Sequence, residues 1–162
     1  MNFRVGIGYD VHRLGEGRKL MLGGIEIPSA FGSVAHSDGD VLIHAICDAL
    51  LGAAGLGDIG KHFPDTSDEF KNIDSKLLLK RVDENLKAIG WFIGNIDAVI
   101  CLQKPKLRDY IGKMHETLAN TLDIPVEKIN VKATTTEKLG FIGTGEGISA
   151  YATVLLSNIV TR

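Results

Sequence analysis

Two short segments carry side chains that are typical metal ligands. Asp10 and His12 are separated by one residue at the end of a strand predicted from Phe3 to Val11, so both side chains point to the same face. His44 lies in an apolar stretch that predicts a helix beginning near Ser37. One aspartate and two histidines would leave a tetrahedral Zn²⁺ one open position, as in catalytic zinc sites. A plainer interpretation also stands, because a lone helix histidine is often a satisfied core residue.

Two acidic residues share the predicted helix with His44. Asp40, His44 and Asp48 are spaced i, i+4 and i+8, which places them along one stripe of a helix. Burying such groups unpaired among apolar neighbours is costly, and metal ligation would explain their presence. Asp48 is predicted either to accept the second imidazole N–H of His44 and fix its tautomer or to be a simple helix carboxylate. Ser37, Asp38 and Asp40 are the candidate N-caps.

A polar cluster follows a later predicted strand. The sequence Thr-Thr-Thr-Glu at 134–137 comes at the end of the strand predicted from Ile129 to Thr134. It offers hydroxyls, backbone N–H groups and one carboxylate, which suit phosphate oxygens and a hard cation such as Mg²⁺. A β-branched strand edge followed by a turn is the plainer interpretation. The sequence has neither a dinucleotide fingerprint nor a Walker A motif, so phosphate chemistry here would depend on metals.

Length and composition limit the classes of protein to consider. The 162 residues suit a single domain over 1–162 with one substantial core. The 18 basic and 20 acidic side chains give a net charge of -2, without the basic field of nucleic-acid-binding proteins. Cys47 and Cys101 lie in separate apolar runs, which favours free thiols in a reducing cytosol. We expect a cytoplasmic protein, because the sequence shows no signal-peptide pattern and no membrane-spanning apolar run.

The order of the predicted elements gives the fold class. Besides the segments above, they are a hairpin at 19–22 and 25–27, a long loop at 55–66, helices at 74–90 and 105–118, and strands at 96–102 and 148–160. Pro105 is assigned to the first turn of the third helix, and His115 is interpreted as a solvated residue of that helix. The sum predicts an α/β (α+β sandwich) fold, in which one sheet is covered by helices on one side and a small N-terminal hairpin is added.

Five separated stretches carry a resemblance to a known enzyme family. They read G-Y-D-V-H-R at 8–13, A-H-S-D-G-D at 35–40, H-A-I-C-D-A-L-L-G-A-A at 44–54, G-D-I-G-K-H-F-P-D-T at 57–66 and N-V-K-A-T-T-T-E-K-L-G-F at 130–141. Together they closely resemble the 2-C-methyl-D-erythritol 2,4-cyclodiphosphate synthases of the non-mevalonate route to isoprenoid precursors. The resemblance extends over essentially the whole chain.

The resemblance implies an assembly and a reaction. The family is a homotrimer of α/β subunits around a central sheet-lined core, with three active sites at subunit interfaces. Its substrate is 4-diphosphocytidyl-2-C-methyl-D-erythritol 2-phosphate, whose 2-phosphate attacks the β-phosphate, closes a cyclic diphosphate and expels CMP. The expected activity is therefore that of a phosphorus–oxygen lyase, with no nucleic-acid or membrane partner.

The resemblance also implies roles for individual residues. Asp10, His12 and His44 correspond to the ligands of one Zn²⁺ per subunit, and Glu137 to the ligand of one Mg²⁺ or Mn²⁺ per active site. His36 and Thr135 resemble the transition-state stabilisers. The positions that correspond to substrate-binding residues are Ser37, Asp58, Ile59, Gly60, His62, Phe63, Pro64, Asp65, Leu102, Gln103, Pro105, Lys106, Leu107, Arg108, Thr134, Thr136 and Phe141.

One motif departs from the family pattern. Where many relatives read G-F-T-G-R-G-E-G, this chain has Ile142 and Thr144 in place of the threonine and the arginine. That arginine is associated with binding of anions or isoprenoid diphosphates along the trimer axis. Thr144 cannot supply a planar, permanently charged guanidinium, so the sequence does not predict a prenyl diphosphate site there. Catalysis is expected to be unaffected.

Two other functions are compatible with parts of the sequence. A single-zinc phosphodiesterase or phosphatase would activate water at the metal and use His36 as its base, and it would form no cyclic product. A non-catalytic trimer that senses isoprenoid diphosphates would need a cationic axial site, which Thr144 does not provide. Neither alternative explains the D-x-H pair and the Thr-Thr-Thr-Glu cluster together.

Overall fold

The computed structural model of the protein describes residues 2–64 and 68–158. Its strands are β1 (Asn2–Glu16), β2 (Leu20–Leu22), β3 (Ile25–Ile27), β4 (Phe31–Val34), β5 (Phe92–Cys101), β6 (Ile129–Thr134) and β7 (Gly147–Asn158). Its helices are α1 (Val41–Ala54), α2 (Ile59–His62), α3 (Ser75–Ala88), α4 (Ile111–Leu122) and α5 (Gly140–Gly143). Short 3₁₀ turns lie at Asp68–Phe70, Arg108–Tyr110 and Val126–Lys128. Within the described ranges, none of the helices is long and apolar enough to span a membrane.

A five-stranded sheet forms the centre of the fold. Its strand order is β4-β1-β7-β5-β6, in which β5 and β6 are parallel and the other neighbours are antiparallel. β2 and β3 form a separate antiparallel pair. The predicted mixed class, a sheet with helices packed on it, is confirmed. β4 was not predicted, because its sequence Phe-Gly-Ser-Val has no clear alternation and no turn signal such as the Gly23–Gly24 pair that marks β2 and β3.

Helix α1 lies directly on β1 because β1 has glycines where the two elements meet. A Cβ added at Gly6 would lie 1.9 Å from the Ala49 carbonyl oxygen, and one added at Gly8 would lie 1.9 Å from the Ala45 carbonyl oxygen. The helix therefore runs antiparallel to the strand, with its first turn beyond Gly8 toward the end of β1. Eleven of the fourteen residues of α1 are buried, so this helix is the centre of the core.

The opposite face of the sheet is apolar and exposed. Val5 is 68% exposed and Ile7 is 74% exposed, and Tyr9 and Val11 continue the same row along β1. Tyr151 on β7 stacks against Tyr9, with ring centroids 4.7 Å apart. We call this surface the open face. Large apolar side chains on a regular sheet face are typical of a surface that is covered by a partner.

Two predictions about the third helix are wrong. The helix begins at Ile111, after a 3₁₀ turn, and Pro105 lies in the loop before that turn. The fixed φ of proline suits both a first helical turn and an extended loop, so the sequence could not separate the two. His115 is half-buried and its Nε2 accepts a hydrogen bond of 2.9 Å from the Val131 N–H. Because β6 is an edge strand, that N–H lacks a strand partner and needs another acceptor.

The last predicted strand agrees with β7 over most of its length. We predicted residues 148–160, and β7 covers Gly147–Asn158. Residues 159 and 160 lie outside the described part of the chain. The strand pairs with both β1 and β5. β7 therefore connects the strand that carries Asp10 and His12 to the strand that precedes the loop at 102–107.

The contact between α1 and β1 can be tested with two glycine substitutions. Gly8→Ala should lower the free energy of unfolding by about 3 kcal/mol, because the new methyl group would meet helix backbone. Gly52→Ala is the matched control, since residue 52 is exposed and its Cβ would meet only the Ile7 carbonyl oxygen, at 3.9 Å. This control should raise stability by up to about 1 kcal/mol. Urea unfolding measures both, and equal effects would contradict the close contact.

Candidate active site

Three ligand atoms from β1 and α1 meet at one point. The Asp10 Oδ2 atom lies 3.0 Å from His12 Nε2 and 3.0 Å from His44 Nδ1, and the two nitrogens are 3.2 Å apart. A tetrahedral zinc ion with bonds of about 2.0 Å keeps its ligand atoms about 3.3 Å from one another. The three side chains are half-buried. Both the donor set and the spacing therefore fit a tetrahedral cation with one position left open. We call this group the metal triad.

The electrostatics of the metal triad favour positive charge. Burial alone would raise the pKa of Asp10, but hydrogen bonds with His12 and His44 and their charges lower it to about 2. Burial alone would lower the pKa of His44, but its hydrogen bond to Asp10 and the charges of Asp10, Asp40 and Asp38 raise it. The carboxylate is thus held ionised, and the surrounding acidic groups attract a cation to the same place.

One predicted transition-state stabiliser and several predicted substrate-binding residues surround the metal triad. His36, Ser37, Ile59, Gly60 and Phe63 line a cavity of about 380 Å³ together with the triad. We call it the triad cavity. Its walls come from the loop before α1 and from α2, so the structure brings these separated segments together.

Other predicted residues of the same loop have structural partners. Asp58 caps α2 by accepting a hydrogen bond of 2.9 Å from the Lys61 N–H. The Nε2 atom of His62 lies 2.9 Å from the Leu56 carbonyl oxygen. Pro64 ends the first described range, and Asp65 lies outside the described residues.

The prediction that Asp48 accepts the second imidazole N–H of His44 is wrong. The Asp48 carboxylate accepts a hydrogen bond of 2.7 Å from the Ile59 N–H and so anchors the loop at α2. The Nε2 atom of His44 instead lies 3.0 Å from Ser75 Oγ and 3.2 Å from Ser37 Oγ. The imidazole is directed at the start of α3 rather than at the next turn of α1. The spacing within α1 could not reveal this, because the partner comes from another helix.

Of the three candidate N-caps, the structure confirms Asp40. The helix begins at Val41 and not near Ser37, so Asp40 is its N-cap. Its fully buried carboxylate accepts hydrogen bonds from the backbone N–H groups of Gly23, Gly24 and Ile43, at 3.0, 2.7 and 3.0 Å. Asp40 therefore ties the β2–β3 hairpin to the start of α1.

A second cavity collects most of the remaining predicted residues. It has a volume of about 740 Å³ and lies between the loop after β5 and the end of β6. Its lining includes Leu102, Gln103, Pro105, Lys106, Leu107, Arg108, Thr134 and Thr135. We call it the loop cavity. Just beyond it, the Thr135 hydroxyl donates a hydrogen bond of 3.1 Å to the Glu137 carboxylate, and the Thr136 hydroxyl donates one of 2.7 Å to the Leu139 carbonyl oxygen.

Phe141 lies apart from the loop cavity. It lines a smaller cavity of about 240 Å³ with Val11, His12, Arg13 and Glu146, so this cavity adjoins the metal triad at His12. The neighbouring Thr144 donates a hydrogen bond of 2.8 Å to the Glu146 carboxylate. Within one chain, Phe141 is therefore not brought together with the other predicted substrate-binding residues.

The triad cavity and the loop cavity are separated by two strands of the same chain. Across the sheet, Val11 pairs with Ser149, Ser149 with Cys101, and Cys101 with Thr134. Three strand spacings of about 4.8 Å separate the ends of this row by about 14 Å. Residues in one row point to the same face, so Thr134 lies on the open face with Val11. Asp10 is next to Val11 in the chain and points to the opposite, helix-covered face.

Comparison with known proteins gives the family. Residues 3–157 match the family model described as the YgbB family. The chain belongs to the YgbB family. The resemblance drawn from the sequence motifs is therefore confirmed, and it extends over nearly all of the residues.

Similar proteins include a curated relative of nearly the same length and two solved structures. The 2-C-methyl-D-erythritol 2,4-cyclodiphosphate synthase of Bacteroides thetaiotaomicron is 59% identical over 156 residues, which cover 96% of this chain and 98% of the relative. The bifunctional IspDF from Campylobacter jejuni matches with a TM-score of 0.94 and 49% identity, covering 98% of this chain and 43% of that chain. A 2C-methyl-D-erythritol-2,4-cyclodiphosphate synthase in its CDP-bound form matches with a TM-score of 0.88 and 39% identity, over 95% of this chain and 100% of that chain.

Removing one ligand tests the metal triad. His44→Ala should weaken zinc binding while the chain stays folded. The loss should exceed the roughly 10- to 100-fold that follows removal of a residue hydrogen-bonded to a metal ligand. Zinc per chain is measured after dialysis, and circular dichroism checks the fold. The matched control is His115→Gln, in which the side-chain carbonyl can still accept the Val131 N–H and zinc should be retained. Stoichiometric zinc in the His44→Ala protein would contradict the assignment.

Proposed function

We propose that this YgbB-family chain converts 4-diphosphocytidyl-2-C-methyl-D-erythritol 2-phosphate into 2-C-methyl-D-erythritol 2,4-cyclodiphosphate and CMP, a step of isoprenoid precursor biosynthesis. An oxygen of the 2-phosphate forms a bond to the β-phosphorus, and the bond from that phosphorus to the bridging oxygen breaks, so that CMP departs with the electron pair. The observation that carries the proposal is the metal triad, which lines the triad cavity of a chain that belongs to the YgbB family.

The chemistry calls for cations at two places, the metal triad and Glu137. A phosphate that attacks a diphosphate brings like charges together, so catalysis depends on neutralising charge and aligning the two groups. Asp10, His12 and His44 would hold Zn²⁺, and Glu137 would hold Mg²⁺ or Mn²⁺. Bound there, the two cations would neutralise phosphate charge and polarise the β-phosphoryl group. His36 lines the triad cavity beside these ligands, where its ring can stabilise charge on the transferred group.

Residues of the loop cavity would position the nucleotide end of the substrate. The Thr135 hydroxyl holds the Glu137 carboxylate at 3.1 Å, and Glu137 lies on a tight turn with a φ of +52°. The Gln103 side chain accepts a hydrogen bond of 3.3 Å from the Lys138 N–H, which joins this turn to the loop after β5. We propose that this loop, with Pro105 and Lys106, binds the cytosine base, as the family resemblance implies.

We propose further that each active site is shared by two subunits of a homotrimer. Both cations must reach one diphosphate, yet about 14 Å of sheet separates the two cavities within a chain. In a heterologous contact, the triad cavity of one subunit would meet the loop cavity of the next, which would remove this separation. Three such contacts would close the assembly as a ring. The open face supports the same assembly, because its apolar side chains would form a sheet-lined core.

The remaining expectations follow from the same proposal. A single domain over 1–162 agrees with the one apolar core of the described residues. Cys47 and Cys101 are free thiols, which agrees with a cytoplasmic location in a reducing compartment. The partners would be the nucleotide substrate and further copies of this chain.

Phosphorus NMR tests the reaction directly. The full chain is incubated with the proposed substrate, Zn²⁺ and Mg²⁺, and CMP release is followed together with the diphosphate resonances. We expect equimolar CMP and a cyclic diphosphate, because the nucleophile is the 2-phosphate of the same molecule. CMP with a 2,4-bisphosphate, whose two phosphorus atoms are separate monoesters, or release of free phosphate, would mean that water is the nucleophile and would overturn the synthase in favour of a hydrolase.

Mixed oligomers test whether the site is shared between chains. Glu137→Gln should lower kcat by about 100-fold or more, because it weakens the binding of the Mg²⁺ or Mn²⁺ whose charge would act on the transferring phosphate. His44→Ala should be inactive as well. If the two residues act across an interface, subunits of both kinds refolded together at equal amounts should regain about a quarter of the activity of the unmutated protein.

The controls for this experiment use the same variants. Each variant alone should stay inactive, and so should the two variants when they are refolded separately and then combined. Glu127→Gln, on an exposed 3₁₀ turn, should keep full activity. Failure of the co-refolded mixture to regain activity, while sedimentation finds mixed trimers, would place both residues in a site within one chain. Monomers alone at micromolar concentration would contradict the assembly.

A further inference from the structure

A hydroxyl and a carboxylate stand behind His44, on the side away from the metal triad. Ser75 is the first residue of α3 and is fully buried. Its Oγ atom lies 3.0 Å from His44 Nε2 and donates a hydrogen bond of 2.5 Å to Asp38 Oδ1. The three side chains therefore form a continuous chain of hydrogen bonds from Asp38 through Ser75 to the imidazole. The three residues come from different segments: Asp38 from the loop before α1, His44 from α1 and Ser75 from α3.

The hydrogen bonds around Asp38 fix the direction of this chain. Asp38 Oδ2 accepts from the Ser75 N–H at 2.9 Å, and Oδ1 accepts from the Asp40 N–H at 3.1 Å. Both oxygens thus act as acceptors, so the single hydroxyl proton of Ser75 is the donor toward Asp38. Only lone pairs of Ser75 Oγ remain for His44, so Nε2 must carry the proton in that contact. Nδ1 lies 3.0 Å from Asp10 Oδ2, and a cation that displaces the proton shared in this contact would meet the Nδ1 lone pair.

The neighbouring Ser37 does not replace Ser75. Its Oγ atom lies farther from His44 Nε2, at 3.2 Å, and already accepts a hydrogen bond of 3.2 Å from the Gly39 N–H. Ser37 also lines the triad cavity, where a ligand can contact it. Ser75 is fully buried and acts from behind the imidazole.

We propose that Asp38 and Ser75 are positioning residues of the metal centre, which hold the His44 ring in place and keep its proton on Nε2 so that Nδ1 is free to bind the cation. The inference rests on the metal centre proposed above. The scaffold supports it, because the Asp38 N–H also donates to the Ile73 carbonyl oxygen at 3.2 Å. The loop before α1 and the start of α3 are thereby held together around the imidazole.

Two variants and one control test the inference. Ser75→Ala removes the acceptor of the imidazole N–H. Asp38→Asn keeps nearly the same volume but places an N–H donor where two acceptor oxygens are needed. Ser33→Ala is the matched control, because Ser33 is a buried serine of β4 whose hydroxyl has no hydrogen-bond partner among the described residues.

The first readout is zinc affinity, measured on the full chain by competition with a chromophoric chelator. We expect Ser75→Ala and Asp38→Asn to bind zinc 10- to 100-fold more weakly, as for the loss of other outer partners of metal-bound histidines. Ser33→Ala should bind zinc normally. Thermal unfolding of the metal-free proteins checks that the variants are folded. With saturating zinc, kcat of both variants should return toward the unmutated value, because neither side chain is part of the lining of the triad cavity.

The second readout is the position of the imidazole proton. In the zinc-loaded unmutated protein with ¹⁵N-labelled histidine, NMR should find the His44 proton on Nε2. Its resonance should shift in both variants, whereas the resonances of His62 and His115 should stay in place.

Several results would overturn the inference. Normal zinc affinity in both variants, a His44 proton on Nδ1 in the zinc-loaded chain, or an equal loss of affinity in Ser33→Ala would each do so. If Ser75→Ala does not fold, the nearly isosteric Asp38→Asn decides alone. Failure of the unmutated chain to bind zinc at all would overturn the metal centre itself, and this result is distinct from failure of the positioning role.

Discussion

The direct contact between the backbone of α1 and the backbone of β1 is the constraint on which the site depends. Ligand atoms from two elements must meet within about 0.5 Å of a productive geometry. Along one face of β1, Gly6 and Gly8 admit the helix, and Asp10 and His12 then follow at the same spacing of two residues. Because α1 runs antiparallel to β1, His44 in its first turn lies opposite these two ligands.

The rest of the chain supports the start of α1 from three directions. The β2–β3 hairpin is tied to it by the buried carboxylate of Asp40. The first residue of α3, Ser75, contacts the far side of the His44 ring. The α2 loop is held one turn further along by Asp48. Asp40, Ser75 and Asp48 thus each hold a neighbouring segment in place close to the metal triad. Their hydrogen bonds explain why this buried region is so polar.

The sequence predicts those parts of the site that depend on local spacing. Asp10 and His12 lie on one face because strand periodicity requires it, and the separated motifs identify the family. The partners of Asp48, Asp40 and His115 could not be predicted in the same way. Each of these side chains satisfies a backbone N–H group of a segment distant in sequence. Tertiary packing decides which backbone N–H group each side chain contacts, and the spacing of residues within a helix gives no information about it.

The origin of the metal ligands from two elements has a thermodynamic consequence. A cation held by Asp10, His12 and His44 bridges β1 and α1, which are the centre of the core, and the unfolded chain does not offer this arrangement. Occupancy and folding are therefore linked equilibria. At a free metal concentration 100 times the dissociation constant, this linkage adds about 2.7 kcal/mol to the stability of the chain. The ion that the catalyst needs would then also act as a reversible cross-link, and the lifetime of the folded protein would depend on the supply of metal.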